Sequence, residues 1–191
     1  RWVLNALDLR PDPQLDYVSL HQLLVDHLLE EYGAGRRVAV VIDEAQNLST
    51  EALEELRMLT NINSGKHELL QLILVGQPEL RAKIMRPELQ QFAQRIVAAY
   101  HLAPLDGPAS AAYVRHRLRL VGGTGEEFTD AALADLHRHT AGVPRLLNKL
   151  CEFALVYGAL NEEYPISEDT IEEVIKDGVF VSGFVPSERA A

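Results

Sequence analysis

Two short apolar runs, each stopping on polar residues, set the fold of this chain. The first lies in "RVAVVIDEAQN": Val38 to Ile42 are apolar, and then come two adjacent carboxylates, Asp43 and Glu44. The second, in "LLQLILVGQPEL", gives way to Gly76 and Gln77. Apolar, β-branched runs of this length predict strands covered on both faces. A third run, "IVAAYHL", predicts a third strand. Helical patterns lie between these runs. "SLHQLLVDHLLEEYGAG" repeats its apolar residues at helical spacing and closes on Gly33 or Gly35. "STEALEELRMLTNI" follows the two acids, with Ser49 or Thr50 as N-cap and Glu51 in the first turn, where an acid suits the helix dipole. "PELRAKIM" and "PELQQFAQR" each open with Pro at an N1-like position. Strands alternating with helices predict an α/β fold with a largely parallel sheet.

After Leu105 the pattern is helical only. "GPASAAYVRHRLRLVGG", "TDAALADLHRHTAG", "VPRLLNKLCEFALVYGAL" and "SEDTIEEVIKDG" predict four helices separated by turn signals. The chain therefore divides into a partial α/β core over residues 1–106, a helical subdomain over 107–178 and a tail or linker over 179–191. The tail, "VFVSGFVPSERAA", predicts either a strand or the start of a linker. With 47% apolar residues in 191, a proper core can be buried. No run approaches the ~18 consecutive apolar residues of a membrane-spanning helix. The net charge of −10 argues against a broad nucleic-acid-binding face. A single cysteine, Cys151, excludes an internal disulfide; it lies on an apolar helical face and reads as a packed core thiol in a reducing compartment. The chain opens without Met inside the helix-like "RWVLNALDL", so it reads as a piece of a longer protein.

An apolar strand ending in Asp-Glu is the Walker B pattern. Side chains at the carboxyl end of a central parallel strand project into the crevice where ligands bind. Asp43 is placed to hold a Mg²⁺ that bridges nucleotide phosphates, and Glu44 to orient or deprotonate a water. Two acids this close tolerate each other when a cation is near. The plainer alternative is a capping pair at a strand-to-helix turn. Gln77, after the second strand, is placed to touch a γ-phosphate or the attacking water, or else is a turn residue before Pro78. Arg95, just before the third run, is a candidate arginine finger, or a surface ion pair worth under ~1 kcal/mol. Arg145 lies in the first turn of its helix, where the dipole disfavours cations, so it suggests an anionic partner, or else simple solvent exposure.

Together these residues carry a resemblance. "VVIDEAQNLSTEALEELRMLTN", "LLQLILVGQPELR", "ELQQFAQRI", "YHLAPL", "AAYVRHRLRLVGG" and "TAGVPRLLNKLCEFAL" resemble the general secretion pathway protein A (ExeA-like) family of AAA+ ATPases, from about Val38 to Ile175. The resemblance implies a partial AAA+ P-loop NTPase core followed by a helical lid, with ATP and Mg²⁺ as cofactors. It implies Asp43 as the Walker B Mg²⁺ residue, Glu44 as the catalytic acid, Gln77 as sensor 1, Arg95 as arginine finger and Arg145 as the sensor 2 arginine. It also implies a homo-oligomer with nucleotide at subunit interfaces. The setting it implies is the bacterial cytoplasm or the cytoplasmic face of the inner membrane, with secretion or envelope-assembly proteins as partners.

The Walker A loop, G-x-x-x-x-G-K-[ST], is not in the sequence. "NSGKHE" has His67 where Ser or Thr belongs, and "VGGTGEE" sets acids where phosphate would sit. Family members carry the loop upstream of where this chain begins, so truncation is the economical account. The family's strand order places the P-loop strand between "LLQLILV" and "IVAAYHL", so these residues alone are expected to be poorly stable and not to bind ATP. Two other functions compete. A DNA-binding AAA+ regulator of the transposition-helper type is supported by Arg115, His116, Arg117 and Arg119 in "YVRHRLRL", whose blander reading is a solvated surface. A non-catalytic interaction module is the other. His137 and His139 point to different helical faces and make a poor metal pair.

Overall fold

The computed structural model describes residues 1–64 and 67–181. Arg1–Ala99 form one compact unit and Tyr100–Ala191 a second.

In the first unit, helix α1 (Trp2–Ala6) and helix α2 (Tyr17–Gly33) precede strand β1 (Val38–Ile42). A 3-10 turn (Ala45–Asn47) leads into α3 (Thr50–Leu59), capped by the Ser49 side chain, which accepts from the Ala52 amide. The two-residue strands β2 (Asn63–Ser64) and β3 (His67–Glu68) pair antiparallel, a feature without a sequence signal. Strand β4 (Leu70–Leu74) then pairs in parallel with β1, from Val38↔Leu70 to Ile42↔Leu74. Helix α4 (Pro78–Ile84), a 3-10 turn (Pro87–Leu89) and α5 (Gln90–Ala93) complete the unit, the first two opening with Pro as the sequence predicts.

Two expectations need correction. The strands are covered on one face only. Val40 and Ile42 are buried in a core that also holds Leu28 of α2 and Leu53 of α3, while Val41 on the other face is 61% exposed, with Ile73 of β4 exposed beside it. Among the described residues nothing covers that second face. The run "IVAAYHL" forms no strand: residues 96–102 are extended or irregular, and Val97 is 98% exposed. A strand exists only through its ladder, and no described residue of the chain pairs with this segment. Its apolar composition alone cannot supply a partner. Gly65 and Lys66 of "NSGKHE" lie outside the described residues, as does the tail from residue 182 onward.

The second unit is the expected set of four helices: α6 (Gly107–Leu120), α7 (Asp130–Thr140), α8 (Pro144–Leu160) and α9 (Glu168–Lys176). Leu136, Leu147, Leu150, Ile171 and Val174 are fully buried at its centre. Cys151 packs against this core, and burial pushes its thiol up to about 12. Residues 179–181 run across the unit, with Lys149 donating to the Val181 carbonyl at 3.2 Å.

Helix α9 begins without help from its own N-cap, since Ser167 makes no side-chain capping bond. Glu163 supplies it from outside. Its carboxylate accepts from the Ser167 amide at 2.7 Å and from the Thr170 hydroxyl. The bonds from Ser167 and then Thr170 hold the carboxyl below the ordinary glutamate range. A depressed folded-state pKa contributes stability that is present above the unfolded value and lost as pH falls through the folded one. Urea unfolding of the helical unit followed by circular dichroism should therefore lose stability below about pH 4.5, the ordinary value. Glu163→Gln should flatten that slope; an unchanged slope would remove Glu163 as its source.

Candidate functional site

Strand β1 and strand β4 end side by side. The parallel ladder continues past them, with the Val75 amide donating to the Ile42 carbonyl at 2.8 Å and the Ala45 amide to the Val75 carbonyl at 2.9 Å. Asp43–Glu44 and Gly76–Gln77 are thus carried out at the carboxyl edge of one sheet, the edge where ligands bind in open α/β folds.

Asp43 leaves the strand and accepts from the Glu44 amide through Oδ1 at 2.8 Å. Glu44 follows in the left-handed region, at φ 52° and ψ 34°. For a residue with a Cβ that conformation costs roughly 1 kcal/mol or more and persists when its surroundings hold it. The surroundings are visible. The Gln46 side-chain amide donates to Glu44 Oε2 at 2.6 Å, and the Gln46 Oε1 accepts from the Gln77 backbone amide at 3.1 Å. From α4, the Lys83 ammonium donates to the Gln46 carbonyl at 2.9 Å and also to the Leu48 carbonyl, closing the 3-10 turn. Gly76 lets this happen: a Cβ there would stand 2.6 Å from Gln46 Oε1.

Asp43 and Glu44 are both exposed and neither forms an ion pair among the described residues. Two neighbouring carboxylates without a cationic partner fit a hard divalent cation. No group of three metal-binding side chains occurs among the described residues. Mg²⁺ keeps several waters and takes one or two carboxylates plus phosphate oxygens, so the Asp43–Glu44 pair would offer it a carboxylate. A cradle for the phosphates is a separate need, and the sequence offers no such loop.

The structure thus joins Asp43, Glu44 and the backbone of Gln77. Gln77 occupies the N-cap position of α4, and its side chain makes no capping bond. Arg95 follows α5, which is anchored by buried Phe92; the arginine is exposed and has no ion pair among the described residues. No hydrogen bond links it to the acids. Arg145 belongs to the second unit, exposed in a first turn that carries no acid. Gln46 is the residue that sequence reasoning missed. Its signal was the "DEAQ" spacing, which puts an amide two residues after the acid.

The basic stretch on α6 is largely satisfied within its unit. Arg115 pairs with Asp130, and the Arg119 Nε donates to the Thr124 carbonyl at 3.1 Å. His137 Nδ1 sits 3.0 Å from the Ser110 hydroxyl.

Residues 1–84 match the family model described as an AAA domain. General secretion pathway protein A of Aeromonas hydrophila is 48% identical over 154 residues, covering 81% of this chain and 28% of that protein. The chain therefore spans somewhat over a quarter of that relative's length. Among solved structures, the Aeropyrum pernix ORC2 protein in ADPNP–ADP complexes aligns with a TM-score of 0.62 at 17% identity, covering 90% of this chain and 45% of that one. A mutant RuvB of Thermotoga maritima aligns with a TM-score of 0.58 at 14% identity, covering 85% of this chain and 52% of that one. At these identities the solved structures establish the fold, that of the AAA+ P-loop ATPases. The chain is thus similar over most of its length to General secretion pathway protein A, and its first 84 residues match an AAA domain.

Proposed function

We propose that this domain is part of an ATP-hydrolysing AAA+ ATPase serving a bacterial secretion or envelope-assembly system. The observation that supports it most is the acidic pair at the end of β1, tied by Gln46 to the backbone after β4. Bound Mg²⁺–ATP supplies the bond to be broken and the cation that neutralises phosphate charge. The chain's residues do the rest. Asp43 offers a carboxylate to the metal. Glu44 holds and polarises the attacking water, taking its proton as the bond forms. The Gln77 side-chain amide orients the same water or a γ-phosphate oxygen. Arg95, exposed and unpaired among the described residues, is suited to reach the nucleotide of a neighbouring copy in a homo-oligomer. Arg145 is suited to meet phosphate charge from the helical unit. The acidic net charge argues against a nucleic-acid target, and the likeness to a secretion-pathway protein supports a setting in the cytoplasm or at the cytoplasmic face of the inner membrane.

The phosphate cradle is assigned to sequence outside these 191 residues, consistent with the small share of the relative that they span. Protein made from the complete coding sequence should hydrolyse ATP, and EDTA should abolish the turnover. Residues 1–191 alone should bind no ATP at micromolar concentration. Absence of turnover and of nucleotide binding in the complete protein would sink the ATPase reading. Tight ATP binding by the isolated chain would sink the assignment of the cradle.

A further inference from the structure

Gln46 makes two contacts that only one orientation of its side-chain amide can satisfy. The Gln77 backbone N–H is a donor and requires the carbonyl oxygen; the Glu44 carboxylate is an acceptor and requires the NH₂. Rotating the amide by half a turn would set oxygen against carboxylate and NH₂ against N–H, so the two contacts fix each other. The backbone of Gln46 is fixed as well, through Lys83. The side chain is thus a short rigid link between the Glu44 carboxylate and the segment after β4.

We propose that Gln46 is a positioning residue for Glu44: by holding Oε2 it sets the direction of Oε1, and it transmits displacement of the Gly76–Gln77 backbone to that carboxylate. The proposal rests on the ATPase reading for its catalytic consequence, though not for its geometry. With one carboxylate oxygen occupied by the Gln46 amide, the other is left for water. The Gln77 side chain, placed by the same backbone, would face the nucleotide. A ligand that shifts Gln77 would therefore also shift Glu44, which makes the acid responsive to occupancy. Gly76 belongs to the device, because any Cβ there pushes on Gln46 Oε1. A purely structural Gln46 would give stability and nothing else.

Three variants separate these roles in protein made from the complete coding sequence. Gln46→Ala removes both contacts. Gln46→Glu keeps an acceptor for the Gln77 amide and loses the donor to Glu44. Gly76→Ala leaves Gln46 in place and displaces its oxygen. All three should lower kcat by about tenfold or more, with KM for ATP within about threefold, the pattern of an interaction made in the transition state. Hydrogen exchange at the Gln77 amide should quicken in Gln46→Ala and stay near wild type in Gln46→Glu. The proposal is overturned if Gln46→Ala and Gln46→Glu retain kcat within twofold, or if Gln77 exchange is the same in Gln46→Ala as in wild type. Turnover that is absent in wild type, or that survives Glu44→Gln, instead removes the ATPase reading. The link is then judged by the exchange data alone.

Discussion

Replacing Glu44 with Gln should leave ATP binding within about threefold of wild type and cut turnover by two to four orders of magnitude, the span typical of a lost general base. The substitution is nearly isosteric, and the new side-chain carbonyl still accepts from the Gln46 amide, so the local structure should stand. What is lost is the ability to take a proton from water. Electrostatics points the same way. Glu44 lies beside Asp43, and neither has a cation partner among the described residues. Removing one negative charge relieves repulsion in the absence of nucleotide, so stability should hold or rise slightly while activity falls. That opposition is diagnostic, because a damaged fold lowers both. Steady-state hydrolysis, nucleotide binding and a thermal melt on the same preparation decide it. Unchanged hydrolysis would remove Glu44 from the mechanism and return the acid pair to a turn-capping role.

The acid pair was legible because its signal is local: an apolar run that stops on two carboxylates can be read without knowing what surrounds it. The same holds for α3, whose Ser49 cap and Glu51 lie where the sequence put them. Features that depend on distant partners were not legible. Coverage of Val41 and Ile73 on both faces was inferred from composition, yet coverage is set by whatever packs across the sheet. The segment "IVAAYHL" has strand composition but finds no ladder among the described residues, so pairing, not propensity, decided its state. Gln46 was missed for a related reason. Its importance comes from Gln77, 31 residues away in sequence, and from a left-handed Glu44 that no pattern of residue types announces. Arg95 and Arg145 were legible as unusual cations; both are exposed, and neither forms an ion pair among the described residues.

Gly142, in "AGVPR", carries the other large expected effect. Part of its role is to end α7, since its φ is 71° and Ala141 before it is also left-handed. The structure adds a second demand. The segment leading into α6 passes directly over it, with the Leu105 amide donating to the Gly142 carbonyl at 3.0 Å. A Cβ on residue 142 would stand 1.8 Å from the Leu105 carbonyl oxygen and 2.8 Å from its carbon. These are backbone atoms, so no side chain can swing aside to make room. Gly142→Ala must therefore lift Leu105 away from the helical core, losing the hydrogen bond and the packing of that leucine as well as straining φ. Gly178 gives the matched control: its φ is 68°, and among the described residues nothing lies within 4 Å of a Cβ built there. Gly178→Ala should cost about 1 kcal/mol, the left-handed penalty alone. Gly142→Ala should cost at least about 3 kcal/mol, in the range reserved for strain combined with lost packing. Denaturant unfolding of the two variants side by side measures the difference. Equal costs would mean that the chain relaxes at Leu105 with little loss, and that the contact there does not hold the segment to the helical unit.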